Sequence, residues 1–445
     1  KRALVALEAL VSKADSRIEI VSGNQRQRLA YFSPLPPTRS GISNYSAELL
    51  HELSKYYDID VIVQQTETVS DPWIRKHLPI RKLGWFLKNS SNFDRILYHF
   101  GNSQFHCHMF DILERYPGVV VLHDYFLSGA LSFLEHSNTG STDWRDALYY
   151  SHGYQALHEK ITESDLNSII MKYSCNLAVL QRALGVITHN RYSLDLAHSD
   201  YTVVNKEKWQ CVPLARRFRG ACDSLNKELV RAELGFAKDD LIVCSFGILG
   251  PTKLNKRLLD AWLKSTLSRK ENAFLIFVGQ SNSDDYGREI IECIQSSGCQ
   301  ERIRITGWID EELYKKYLIA ADMGVQLRTL SRGETSAAVL DCMNFGLATV
   351  VNGNGSMAEL SPEAVVILPD EFKDSDLVQA LEELDADPAA RLKLGKKAQE
   401  IIKEFHDPAK CARQYYDFIE RVYYDPAVSS SILVRKLGEL KLNKK

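Results

Sequence analysis

The sequence predicts an α/β protein built from two doubly wound parallel-sheet domains facing a cleft, and three observations carry that expectation. Short apolar runs alternate with amphipathic helical stretches along most of the chain, as in parallel sheets covered on both faces. The series runs twice, once before and once after Val212-Pro213-Leu214, which reads as an interdomain linker. The 445 residues, 45% of them hydrophobic and 25% charged, suit an ordinary globular chain of two or three domains.

The elements follow in order. Residues 1–27 read as a short amphipathic helix and a polar linker. The first domain, 28–212, opens with a strand at Leu29–Ser33, a Pro-rich loop and a helix from Ile42 to Tyr56. Further strands are expected at Ile59–Val63, Arg95–His99, Val119–His123 and Gly185–His189. The second domain, 213–405, has strands at Leu241–Phe246, Ala273–Val278, Ile303–Thr306, Met323–Leu327 and Ala348–Asn352. Its helices lie near Lys256–Leu267, Asp285–Ser296, Glu311–Ala320 and Thr335–Phe345, with a long one at Asp374–Phe405. Residues 406–445 read as a helix, Pro408–Tyr424, crossing back onto the first domain, followed by a basic tail.

Composition excludes several function classes. Lys plus Arg total 55 against 57 for Asp plus Glu, so no global basic excess points to nucleic acid. The 9 cysteines are odd in number and scattered, which suits a reducing, cytoplasmic compartment. No apolar run is long enough to span a membrane, and the start turns polar too soon for a signal peptide. The chain begins with Lys1 rather than Met, which suggests part of a longer multidomain chain.

Open parallel sheets bind ligands beyond the carboxyl ends of their strands, so those positions are the ones to inspect. After the first strand, Ser40-Gly41-Ile42 opens a helix where amide groups can meet an anion, although for this fragment alone a plain βα turn is the favoured reading. His123 ends a core strand and His99 its neighbour; either is a hydrogen-bonding group or a structural histidine. His106-Cys107-His108 has a spacing that disperses ligands, so no metal site is assigned. Phe246-Gly247-Ile248-Leu249-Gly250-Pro251-Thr252-Lys253 places a cation at a helix start, against the macrodipole, which makes sense if an anion sits there. Arg332 to Gly346 is the most informative segment. Small residues Thr335, Ser336 and Ala337 open a helix, and Asp341 stands in an apolar stretch where a carboxylate needs a partner. No G-x-G-x-x-G or P-loop pattern occurs. The triplets Asp58-Ile59-Asp60, Asp374-Ser375-Asp376 and Asp385-Ala386-Asp387 follow no strand at the proposed cleft and are not read as a metal–diphosphate site.

Taken together, Ser33–Ile42, Leu122-His123-Asp124, Gly247–Lys253, Val278-Gly279, Ile305–Ile309 and Arg332–Gly346 with Ala348–Val351 resemble the GT-B fold enzymes of glycosyltransferase family 4 (group 1, retaining), and within it the bacterial polysaccharide mannosyltransferase-like members. The resemblance implies transfer of a sugar, mannose among the candidates, from a nucleotide diphosphate sugar to an acceptor hydroxyl in polysaccharide or glycoconjugate synthesis. It implies retention of configuration and no metal or other cofactor, with a GDP- or UDP-sugar as co-substrate. By position it makes His123, Lys253 and Glu334 catalytic. Gly41, Gly247 and Lys253 would meet the diphosphate and Trp308 and Ile309 the base, with Thr335, Ser336 and Ala337 at phosphate and sugar and Asp341 on the ribose. Two departures stand out: the arginine that usually follows Gly247 is Ile248, leaving Arg332 or Lys256 to help Lys253, and the family's first acid falls at Gly333, one residue before Glu334.

The expected partners are a nucleotide-sugar donor and a glycan or lipid-linked acceptor, with Gly129–Tyr173 shaping acceptor choice. Arg216, Arg217, Arg219 and the basic terminus would serve any peripheral contact with the inner membrane face, against the simpler reading of a solvated surface. The rival readings are an inert GT-B module that binds a nucleotide sugar or glycan within a larger protein, and a nucleotide-sugar epimerase.

Overall fold

The computed structural model describes residues 26–137, 143–201, 205–218, 224–281 and 285–430. The expected amino-terminal helix, Arg219 and the basic tail lie outside them. Two all-parallel sheets organise the chain. The first joins β1 (Arg28–Phe32), β2 (Asp58–Val63), β3 (Ile80–Lys82), β4 (Arg95–Phe100), β5 (Val119–Leu122), β6 (Gly185–Thr188) and β7 (Trp209–Cys211) in the order β3-β2-β1-β4-β5-β6-β7. The second joins β8 (Leu241–Phe246), β9 (Ala273–Val278), β10 (Ile303–Ile305), β11 (Met323–Gln326), β12 (Ala348–Asn352) and β13 (Val365–Leu368) in the order β10-β9-β8-β11-β12-β13.

Burial explains which strands were visible in the sequence. Every residue of β4, β5, β8 and β12 is buried, and such strands read as continuous apolar runs. The edge strands β3 and β7 were missed: each has only 3 residues and is polar or half-exposed. The edge strand β13 is apolar and was also missed, although Val365-Val366-Ile367-Leu368 carries the signal.

The helix expected over Ile42–Tyr56 spans Gly41–Leu53, and three helices of the second domain also differ from expectation. The Thr335–Phe345 helix begins at Ala337, because the Ser336 hydroxyl accepts from the Val339 amide and so caps it. The expected Lys256–Leu267 helix spans Asn255–Lys264, and a separate turn follows at Thr266–Arg269. The expected helix over Asp374–Phe405 is two, Asp374–Ala386 and Pro388–Phe405, with Asp387 capping the second and Pro388 at its first turn.

The Pro408–Tyr424 helix packs against the Gly41–Leu53 helix of the first domain. Tyr415 and Tyr45 share a hydrogen bond of 2.8 Å between their hydroxyls. Glu420 receives both Arg95 Nε at 3.0 Å and Arg95 Nη2 at 2.7 Å, and the Tyr57 hydroxyl donates to it at 2.7 Å. This tie is polar but complete, as burial of charge requires.

In each sheet the strand order reverses once, between β1 and β4 and between β8 and β11. A crevice opens at such a switch point, so the loops after these strands are where a ligand fits.

Candidate active site

The first domain contributes a buried ring cluster at its strand ends. His99, the fifth residue of β4, and His123, just after β5, share a hydrogen bond of 2.9 Å between His99 Nδ1 and His123 Nε2. His189, after β6, packs on His123 with ring centroids 4.8 Å apart, and Tyr45 lies edge-on to both. Burial, followed by the neighbouring His189, pushes His99 and His123 well below the ordinary imidazole range. Both rings are therefore neutral at pH 7, and His123 is a hydrogen-bonding group rather than a cation. His106 and His108 are also buried and pushed down to about 4 and about 3. Among the described residues, no three His, Cys, Asp or Glu side chains converge as metal ligands would.

The second domain contributes charge. Gly247 follows β8 with φ of +106°, which calls for glycine, and Lys253 Nζ lies 2.4 Å from where a Cβ would stand. Lys253 therefore folds back over its own loop. Leu254 takes left-handed φ of 52° to start the next helix, a sparsely populated conformation for a residue with a side chain. Burial, then the nearby Arg328, lowers Lys253 to about 8, and Glu334 opposes that. Among the described residues, its ammonium has no hydrogen-bond or ion-pair partner. Ile248, where the resemblance expects arginine, is 59% exposed and turned to solvent. Lys256 does not help, since it pairs with Asp260 at 2.7 Å and approaches Glu289 at 3.9 Å.

The Arg332–Thr335 loop brings the two halves together. The Arg332 carbonyl accepts from the Tyr125 and Phe126 amides at 2.8 and 3.2 Å. The Gly333 carbonyl accepts from Asn190 Nδ2 at 2.8 Å and the Ser193 hydroxyl at 2.7 Å, and Asn190 Nδ2 also reaches the Thr335 hydroxyl at 2.9 Å. Gly333 has φ of +82°, and a Cβ there would lie 2.4 Å from that of Tyr125. Any other residue would push the domains apart. Glu334 is tied to its own loop, accepting from the Arg332 amide at 2.7 Å. Burial and then Glu334 raise Asp124 to about 6, so Glu334 acts on both walls of the cleft.

The remaining expected residues are placed as follows. Ser40 caps the Gly41–Leu53 helix, and Gly41 has open space where a Cβ would project. Trp308 is 57% exposed and carries the Arg39 guanidinium 4.4 Å from its ring centre, an exposed stack across the cleft. Ile309 packs against the second domain's core beside Tyr314. Ala337 begins the helix that Ser336 caps. Asp341 lies 3.2 Å from Arg216 Nε and receives the Tyr314 hydroxyl at 3.3 Å, so partners within the chain already meet its charge. Arg216, expected at the surface, is instead half-buried against Asp341, with its amide on the His406 carbonyl at 2.7 Å.

The three acidic triplets have structural roles. Asp60 pairs with Arg28 and Arg81, Asp374 with Arg257 and Lys264, and Asp385 with Lys270. Asp376 and Asp387 cap helices. Sequence reasoning missed Arg328, which follows β11 at the second switch point; its position after a core strand was the available signal.

Comparison with known proteins agrees with this architecture. Residues 226–401 match the family model of glycosyl transferases, group 1. Among curated proteins none matches the chain in sequence. The fold is similar to that of Anabaena HepE, solved with UDP and glucose, at a TM-score of 0.66 and 15% identity over 89% of this chain and 100% of that one. It is also similar to sucrose-phosphate synthase from Thermosynechococcus elongatus (TM-score 0.63, 16% identity, 89% and 99% covered). The catalytic domain of starch synthase IV from Arabidopsis thaliana, bound to ADP and acarbose, compares at 0.64 and 12% identity, with 89% and 99% covered. The chain thus has the two-domain GT-B fold, and its second domain carries the sequence pattern of group 1 glycosyl transferases.

Proposed function

We propose that the protein transfers a glycosyl group from a nucleoside diphosphate sugar to an acceptor hydroxyl. The observation that carries this is Lys253, a desolvated ammonium at the β8–β11 switch point with no partner among the described residues. A buried charge is tolerated only if something compensates it, and a diphosphate would do so. That structural neighbours were solved with UDP and glucose or with ADP and acarbose supports a nucleotide-sugar donor. In this reading the Ala337 helix start and Lys253 hold the phosphates, Trp308 and Ile309 flank the base, and Asp341 takes the ribose after sharing its charge with Arg216.

The chemistry follows from the charge that develops. As the bond between the anomeric carbon and the β-phosphate oxygen breaks, negative charge grows on the leaving diphosphate beside Lys253. The acceptor hydroxyl attacks from the same face and gives its proton to that phosphate, so configuration is retained. Neutral His123 and the Glu334 carboxylate would orient the sugar. Mannose, a GDP or UDP carrier, no cofactor beyond the donor, and a glycan or lipid-linked acceptor in polysaccharide synthesis complete the proposal. Among the described residues, no helix is long and apolar enough to cross a membrane. The same reading includes a cytoplasmic protein that meets any lipid-linked acceptor peripherally.

A panel of sugar nucleotides, scored by thermal shift and then by release of nucleoside diphosphate, tests it. Stabilisation by one donor with slow release of its diphosphate is expected. No stabilisation and no release with any donor overturns it. Ile248 favours a second reading, a binding module without turnover, which would show saturable stabilisation and no release.

A further inference from the structure

We infer that Arg328 is a phosphate-binding residue that supplies, from β11, the second cation absent at Ile248. The assignment rests on the nucleotide-sugar reading above and names a residue for it. Four observations lead there.

First is position. The residue lies just beyond β11, the strand beside β8 across the switch point, so its loop and the Lys253 loop border one crevice. A backbone hydrogen bond of 3.1 Å, from the Thr329 amide to the Thr252 carbonyl, joins the two loops.

Second is anchoring. Buried Asn352, at the end of β12, accepts from the Arg328 amide at 2.8 Å and donates to the Arg328 carbonyl at 2.7 Å. Asn352 also donates toward the Asp370 carboxylate at 3.2 Å. The backbone of this one residue is thus clamped on both sides by a side chain that is itself held.

Third is unsatisfied charge. Among the described residues, Arg328 forms no ion pair, and its side chain spends one N–H on the neighbouring Leu327 carbonyl at 2.9 Å. A guanidinium has five N–H donors, so most of this one's capacity is unused. Burial lowers its pKa, an environment in which an uncompensated cation is costly.

Fourth is the local balance. Lys253 and Arg328 repel one another, and Glu334 is the acid that opposes both. Arg332 also lowers Arg328, so three cations against that one carboxylate leave net positive charge in a crevice, which a diphosphate would complement. Arg328 differs from Lys253 in what it can recognise. Its planar fork can span two oxygens of the terminal phosphate of the diphosphate or bridge that phosphate to its neighbour, whereas an ammonium acts as a point charge.

Titration calorimetry on the full chain tests the assignment, using UDP and GDP against UMP and GMP. Arg328→Gln should weaken diphosphate binding by about 10- to 100-fold and monophosphate binding by under about threefold. Arg328→Lys should fall between parent and Arg328→Gln. Adding Ile248→Arg to Arg328→Gln should recover part of the diphosphate preference, because the cation returns from the other loop. Thermal unfolding of each variant shows that it is folded. Equal losses on mono- and diphosphates, or an unchanged diphosphate preference in Arg328→Gln, overturn the assignment. A parent that binds no diphosphate overturns it together with the nucleotide-sugar reading. A parent that binds diphosphate but never releases sugar removes the transferase reading alone, since the Arg328 comparison is made on binding.

Discussion

Two buried-cation regions of this molecule are built oppositely. Arg95, at the start of β4, is met by both oxygens of Glu420 from the returning carboxyl-terminal helix. Burial draws its pKa down, but Glu420 outweighs that and holds it above the ordinary value. Lys253 and Arg328, at the second domain's switch point, are also desolvated, yet no carboxylate among the described residues pairs with either. The first arrangement uses charge to hold helix Pro408–Tyr424 on the first sheet. The second leaves charge unspent at a crevice. A compensated cation reads as structure and an uncompensated one as a place for an anion.

The comparison breaks most visibly at Glu420. Glu420→Ala should cost about 3–5 kcal/mol of unfolding free energy, because it strands the buried Arg95 guanidinium. Denaturant unfolding checks this, and a change under about 1 kcal/mol would show that the pair is no more than a surface bridge. Lys253→Ala should do the reverse. Turnover should fall by roughly 10²–10³, about 3–4 kcal/mol, from loss of one transition-state contact, and stability should not fall. Steady-state kinetics with a donor found by the panel decides it, and activity within about twofold of the parent would return Lys253 to the structural class.

His123 sharpens the contrast between the domains. His123→Ala should lower turnover by about 10- to 100-fold while leaving donor affinity within about threefold, since it lies on the opposite wall from the charge. Equal losses of both, measured by kinetics and calorimetry on one preparation, would make it a ground-state contact. The smallest effect is in pH. Lys253, lowered to about 8, is charged below that value and neutral above it. Nucleoside diphosphate affinity should therefore be flat near pH 7 and decline by up to about tenfold per unit as pH rises past 8. The decline should vanish in Lys253→Ala, and a parent profile flat to pH 9.5 or so would contradict the assignment.

Local sequence determined much of this protein. The central strands β1, β4, β5, β8, β9 and β12 announced themselves as apolar runs, since burial on both faces allows little else. Gly247 and the Thr335–Ala337 turn were visible because backbone conformation and helix capping are set by residues a few positions apart. Charge pairing between distant residues was not visible. Lys256 and Asp260, four apart on one helix, form a pair that the sequence itself carries, but nothing near Asp341 in the chain pointed to Arg216 as the partner its carboxylate needs. Arg328 gave no motif at all. Its surroundings come from Asn352, Thr252 and Glu334, brought together by the parallel register of β11 with β8 and β12 and by the loops that follow. Periodicity and capping act over a few residues and can be read along the chain. Desolvation and ion pairing depend on which distant side chains share a volume, and only the tertiary structure decides that.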